Sequence, residues 1–181
     1  MASDIILGID PGSRKTGYGI VLMQNNDLTY LGSGCIMMGD EPLAERLLTI
    51  FESVTTLIEQ FKPTQMAVEE VFVSKNVQST IKLAEARSAA MVAGTRQGLK
   101  VYEYTPMQIK QAVVGYGAAS KYQVQFMVTK ILHLSGKPQA DAADALACAI
   151  CHGFTYKVSA ALREWVQVGS SVRGRYRNLR S

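Results

Sequence analysis

Apolar and polar positions change period several times along the chain, and each change predicts an element. Asp4 to Asp10, Gly17 to Gln24 and Leu28 to Met38 read as strands, and Asn25, Asn26 and Asp27 supply hairpin-turn residues between the last two. An antiparallel meander is therefore expected at the start. From Pro42 to Phe61 the period lengthens: Leu43, Leu47, Phe51, Val54, Ile58 and Phe61 recur at spacings of three and four, which predicts an amphipathic helix closed by Lys62 and Pro63. Gln65 to Val71 is a strand. Gln78 to Gln97 is a second helical stretch whose small residues, Ala84, Ala86, Ala89, Ala90 and Ala93, allow close approach of a neighbour before Gly98 ends it. Leu99 to Tyr104 is the fifth strand. Thr105 and Pro106 form the N-cap and first turn of a short helix to Val114. After a loop from Gly115 to Ala118, Ser120 and Gln123 make a capping box for a helix reaching about Ser135, and a last helix runs from Ala140 to about Phe154. This order predicts an α/β fold, a mixed five-stranded sheet flanked by helices on both faces.

Composition sharpens the domain count. With 181 residues, 48% hydrophobic and 19% charged, the chain suits one well-buried domain, assigned to residues 1–157, followed by a basic tail at 158–181. No apolar stretch of 18 residues argues for a membrane span, and the N-terminus lacks the basic and apolar regions of a secretory signal, so a cytoplasmic location is expected. The net charge of +4 is concentrated: Arg173, Arg175, Arg177 and Arg180 lie in an end without acids, and without them 15 basic residues face 15 acidic ones. The body is balanced, so an anion-binding face must arise from local clustering. The tail reads as a flexible basic arm suited to phosphate contact or to solubility.

Two features carry candidate chemistry. Cys148, Cys151 and His152 spell the C-x-x-C-H pattern of haem attachment, but the run lies inside an alanine-rich helix without a second cysteine pair, so it reads as core, as does Cys35. The carboxylates are more informative. Asp10 ends an apolar strand and is followed at once by Pro11 and Gly12, which presents it at a sheet edge; plain turn chemistry would place an Asp there too. Glu69 and Glu70 lie in a strand apolar enough to be central, and side-chain alternation sends one to each face without saying which is functional. Asp141 and Asp144, three apart, share one helix face; helix capping favours such residues, yet a like-charged pair beside a sheet calls for a cation. This all-oxygen set selects magnesium or manganese over zinc. Two such ions about 3.5–4 Å apart are suited to phosphodiester hydrolysis.

The sequence also resembles the RuvC family of bacterial crossover-junction endodeoxyribonucleases. The likeness runs from Ile6 to about Cys151 through ILGIDPGSRKTGYGI, YLGSGCI, VEEVFVSKN, KLAEARS, QIKQAVVGYG and PQADAADALA. It implies a ribonuclease H-like fold and a magnesium-dependent nuclease, with manganese as a possible substitute, holding two ions per site. It further implies a homodimer that resolves four-way (Holliday) DNA junctions by symmetric cuts during recombination and repair, alongside branch-migration proteins. By the same resemblance, the catalytic acids and metal ligands fall on Asp10, Glu69, Asp141 and Asp144, leaving Glu70 as a neighbour, although some relatives carry His at the position of Asp144. DNA contacts fall on Phe72, as a base-stacking wedge, and on Lys75, Asn76, Lys110 and Lys121. The bland readings are a core Phe and surface lysines. Two rivals remain: an actin or sugar-kinase type ATP-binding domain, suggested by GIDPGSRKTGYG but needing two such domains, and a junction-binding module without catalysis, for which so many carboxylates near phosphates would be a handicap.

Overall fold

The structure, a computed structural model, describes residues 3–25, 27–72 and 76–156. Its sheet holds β1 (Asp4–Asp10), β2 (Lys15–Gln24), β3 (Asp27–Met37), β4 (Gln65–Glu69) and β5 (Lys100–Tyr104) in the order β3-β2-β1-β4-β5. The meander pairs antiparallel, while β1–β4 and β4–β5 pair parallel. Helices α1 (Leu43–Phe61), α2 (Val77–Arg96), α3 (Pro106–Val114) and α4 (Lys121–Ile131) follow the predicted order, and α5 occupies residues 140–156. This is the ribonuclease H-like arrangement.

Strand alternation divides the core into two layers. Leu7, Ile9, Met66 and Val68 face one way and pack with Ile50 and Val54 of α1 and Ala86, Ala90 and Ala93 of α2. Ile6 and Ala67 face the other way, against α5, which is covered in turn by Ile109 and Val113 of α3 and Val124 and Val128 of α4. Helix α5 is buried almost all round, which explains its run of alanines: with neighbours on every side, small side chains allow short interaxial distances.

Capping holds as expected. The Thr105 and Ser120 side chains each accept from the backbone N–H three residues on, with Gln108 and Gln123 bonding back. Other boundaries moved. β2 starts at Lys15, two residues early; β4 stops at Glu69 rather than Val71; and α4 ends at Ile131, where the chain turns with His133 at φ 51°. Cys35 is not in the core. It lies half-exposed on the edge strand β3, its thiol donating to Gln139 Oε1 at 3.4 Å, because few side chains cover that edge. The division between a domain ending at 157 and a tail at 158–181 falls outside the described residues, as do the tail arginines. Among the described residues, no helix is long and apolar enough to cross a membrane.

Candidate active site

Asp10 and Glu69 end adjacent parallel strands, one step beyond the Ile9–Val68 register pair. Alternation now decides between the two glutamates. Asp10 shares its face with Ile6 and Gly8, and Glu69 shares its face with Ala67, so both point into the α5 layer. Glu70, whose backbone N–H continues the ladder to the Tyr104 carbonyl at 2.9 Å, follows Met66 and Val68 to the opposite face.

Helix α5 reaches these acids because the sheet beneath it lacks side chains. Gly8 pairs with Gly19, and Asp10 pairs with Gly17. A Cβ on Gly17 would overlap the Asp141 carbonyl, one on Gly8 the Ala145 carbonyl, and one on Gly19 the Leu146 backbone. The first turns of α5 therefore rest on the strand backbone, with Asp141 directly over the residue that pairs with Asp10. This glycine floor escaped the sequence reading, although the alternation of Gly17 and Gly19 in a strand was a visible signal of close backbone approach.

Asp10, Glu69 and Asp144 line a cavity of about 200 Å³ together with Lys110 and Lys121, walled on the apolar side by Pro106, Ile109 and Val124. Asp141 is not part of that lining, but its charge bears on Asp10. The Lys121 ammonium donates to Asp144 Oδ2 at 3.0 Å. Burial, then the charges of Glu69 and Asp144, push the Asp10 carboxyl up to about 8, with Lys121 pulling the other way. Burial and then Asp144 raise Glu69 to about 7, against the pull of Lys121 and Lys110. Such a set is frustrated: it gathers more negative charge than two ammonium groups relieve, and hard oxygen donors of this kind match a divalent cation. Among the described residues, no three His, Cys, Asp or Glu side chains are arranged to hold a metal ion as they stand.

The remaining predicted residues are divided. Phe72 is 59% exposed just past β4, which removes the core reading. Asn76 caps α2, its side chain accepting from the Ser79 N–H at 3.1 Å. Lys75 lies outside the described residues. Lys110 and Lys121 do share one groove, on α3 and the first turn of α4. In the loop after Asp10, the Gly12 N–H donates to the Thr16 hydroxyl at 3.3 Å, and that hydroxyl donates to the Gly12 carbonyl at 3.2 Å. The loop is thus closed on itself, and this amide is occupied rather than turned to a nucleotide phosphate.

His152 has a structural partner on each ring nitrogen. Nε2–H donates to Gln65 Oε1, and Nδ1 accepts from the Tyr104 hydroxyl at 2.7 Å. Burial drives the imidazole down to about 4, so it is neutral and fully used. With Cys148 and Cys151 also buried, the C-x-x-C-H pattern serves packing, as the sequence suggested. The tie between α5 and both strands beneath the site was not foreseen, since Gln65 and Tyr104 are far from His152 in sequence.

Residues 6–152 match the RuvC family, described as crossover junction endodeoxyribonuclease. The chain belongs to this family. The RuvC crossover junction endodeoxyribonuclease of Colwellia psychrerythraea is 57% identical over 175 residues, covering 96% of this chain and 99% of that protein. The Vibrio cholerae RuvC is 55% identical over 173 residues, with the same coverages. Among solved structures, Thermus thermophilus RuvC in complex with Holliday junction substrate superposes with a TM-score of 0.81 at 35% identity, covering 86% of this chain and 96% of that one. The matched stretch, residues 6–152, spans both core layers of the ribonuclease H-like fold and the positions that line the acid cavity.

Proposed function

We propose that Asp10, Glu69, Asp141 and Asp144 are the catalytic acids of this crossover-junction endodeoxyribonuclease, which resolves four-way DNA junctions by magnesium-dependent hydrolysis of phosphodiester bonds. The observation that carries this reading is the cavity itself: Asp10, Glu69 and Asp144 gathered beside two lysines at the open end of a parallel strand pair, with burial and acidic neighbours raising Asp10 and Glu69. Two magnesium ions, when bound, would supply positive charge on both sides of the scissile phosphodiester and ease deprotonation of the attacking water.

The chain's own groups set the geometry. Asp10 and Glu69 sit on rigid strand ends and would hold the cations from below, while Asp141 and Asp144 close the site from α5. Lys121 turns from Asp144 to a non-bridging phosphate oxygen, and Lys110 offsets charge on the same strand. The exposed Phe72 ring stacks on an unpaired base at the branch point, an interaction of about 1–3 kcal/mol. A homodimer places two such sites on opposed strands, because a two-fold substrate is matched by a two-fold enzyme. Branch-migration proteins would act on the same junction, and a cytoplasmic location goes with this substrate.

The test is cleavage of a synthetic four-way junction with magnesium, beside linear duplex. Asp10→Asn, Glu69→Gln and Asp141→Asn are each expected to reduce cleavage to background while junction binding persists. Retained cleavage in any of them removes that residue from the site.

A further inference from the structure

Helix α3 has a second functional-looking face. Pro106, Ile109 and Lys110 line the acid cavity, whereas Met107, Gln111 and Ala112 line a separate groove of about 830 Å³, completed by Tyr116 and by Phe154 and Thr155 of α5. No charged side chain lines this groove, so it does not suit phosphate. Met107 is 68% and Tyr116 55% exposed, and such a contiguous apolar surface calls for a covering element.

The chain supplies a matching segment. The described part of α5 ends at Tyr156, immediately after two groove residues, so the residues that follow start at the groove's rim. Their sequence is KVSAALREWVQV, residues 157–168, in which Val158, Leu162, Trp165 and Val166 fall at helical spacing with Arg163, Glu164 and Gln167 between them. Gly169, Ser170 and Ser171 then separate this amphipathic stretch from the arginines.

We propose that residues 158–168 of the same chain seat Leu162 and Trp165 in this groove, bracing α3 from behind. A covalent connection this short gives the segment an effective concentration on the order of millimolar, which favours it over a free partner. The seat would also set the root of the arginine-rich end: from Val168 to Arg173 the chain spans at most roughly 17 Å, so the arginines start within reach of DNA lying over Lys110. Only this last consequence rests on the nuclease reading; the docking itself does not.

Trp165 is the sole tryptophan of the chain, so its fluorescence reports on the segment without added labels. In the full-length protein without DNA, the expected result is blue-shifted emission and weak quenching by acrylamide, both unchanged on dilution. Met107→Lys and Tyr116→Ser, at exposed positions that the core does not need, should shift the emission to that of a solvent-exposed indole. Solvent-like emission in the unaltered protein overturns the docking. So does a blue shift that survives both substitutions, or one that fades on dilution, which would assign the groove to a second copy.

Discussion

With Asp10 raised to about 8 and Glu69 to about 7, the site holds protons near neutral pH that a bound cation would have to displace. The sign of the consequence follows from linkage. Both groups bind protons more tightly folded than unfolded, so their contribution to stability is full below the ordinary carboxylate range and is lost as pH rises through 7 and 8. On the proposed reading, magnesium would bind the charged forms and reverse that loss. The melting temperature of the protein should therefore rise more on adding magnesium at pH 8 than at pH 6, and each displaced proton should weaken apparent binding about tenfold per pH unit below the raised values. An equal rise at both pH values would show that these carboxyls are not the groups the ion meets. His152 runs in the opposite sense: buried and lowered to about 4, it destabilises the fold as pH falls from about 6.5 toward 4. Comparison of the two arms, with and without magnesium, keeps this background separate because His152 does not line the acid cavity.

At the level of elements, the site depends on how closely α5 lies on β1 and β2. Gly17→Ala introduces a methyl group where the Asp141 carbonyl already sits, and the helix must lift. Overpacking of this kind costs about 1–3 kcal/mol of stability. The displacement of Asp141 by even about 1 Å should reduce cleavage about a hundredfold. Circular dichroism on the folded variant separates the two effects; a variant that is destabilised yet cleaves at the original rate would show that α5 does not need this contact to position its acids. The same contact explains what the sequence could and could not convey. Period and capping made every described strand and helix legible, because Leu43 to Phe61, Thr105 and Ser120 act through neighbours a few residues away. Asp10 stood out because an apolar strand ended on it. The choice of Glu69 over Glu70 did not follow from local pattern, since it depends on which sheet face α5 covers. The glycine floor and the Gln65–His152–Tyr104 tie were hidden for the same reason: each joins residues that become neighbours only across the sheet. Cys35 was misplaced because a strand's residue types do not reveal that it lies at an edge.

For the whole molecule, the proposed symmetric cutting would require that two sites act within one bound complex, and we place that proposed pairing on the outer face of α2. Its inner side, Ala86, Ala90 and Ala93, packs on the sheet and α1, while Val77, Ile81, Ala84, Ser88 and Val92 follow helical spacing along the exposed outer side. An apolar stripe with small residues at its centre allows two copies of the helix to approach closely about a two-fold axis. Ile81 lies on this stripe, and in a dimer paired through it Ile81→Glu would place a carboxylate in the interface twice, once from each protomer. A loss of about 2 kcal/mol or more at a central position would weaken such association roughly thirtyfold or more, which sedimentation would detect as a shift toward monomer relative to the unaltered protein. Ile81 is exposed and does not line the acid cavity, so the monomer keeps its carboxylates. On a supercoiled circle bearing an extruded cruciform, paired cuts give a linear product, whereas independent single cuts give nicked circles that relax and reabsorb the cruciform before a second cut. The variant should thus accumulate nicked circles, and a monomeric variant that still produced linear DNA would break the link between this face and symmetric resolution.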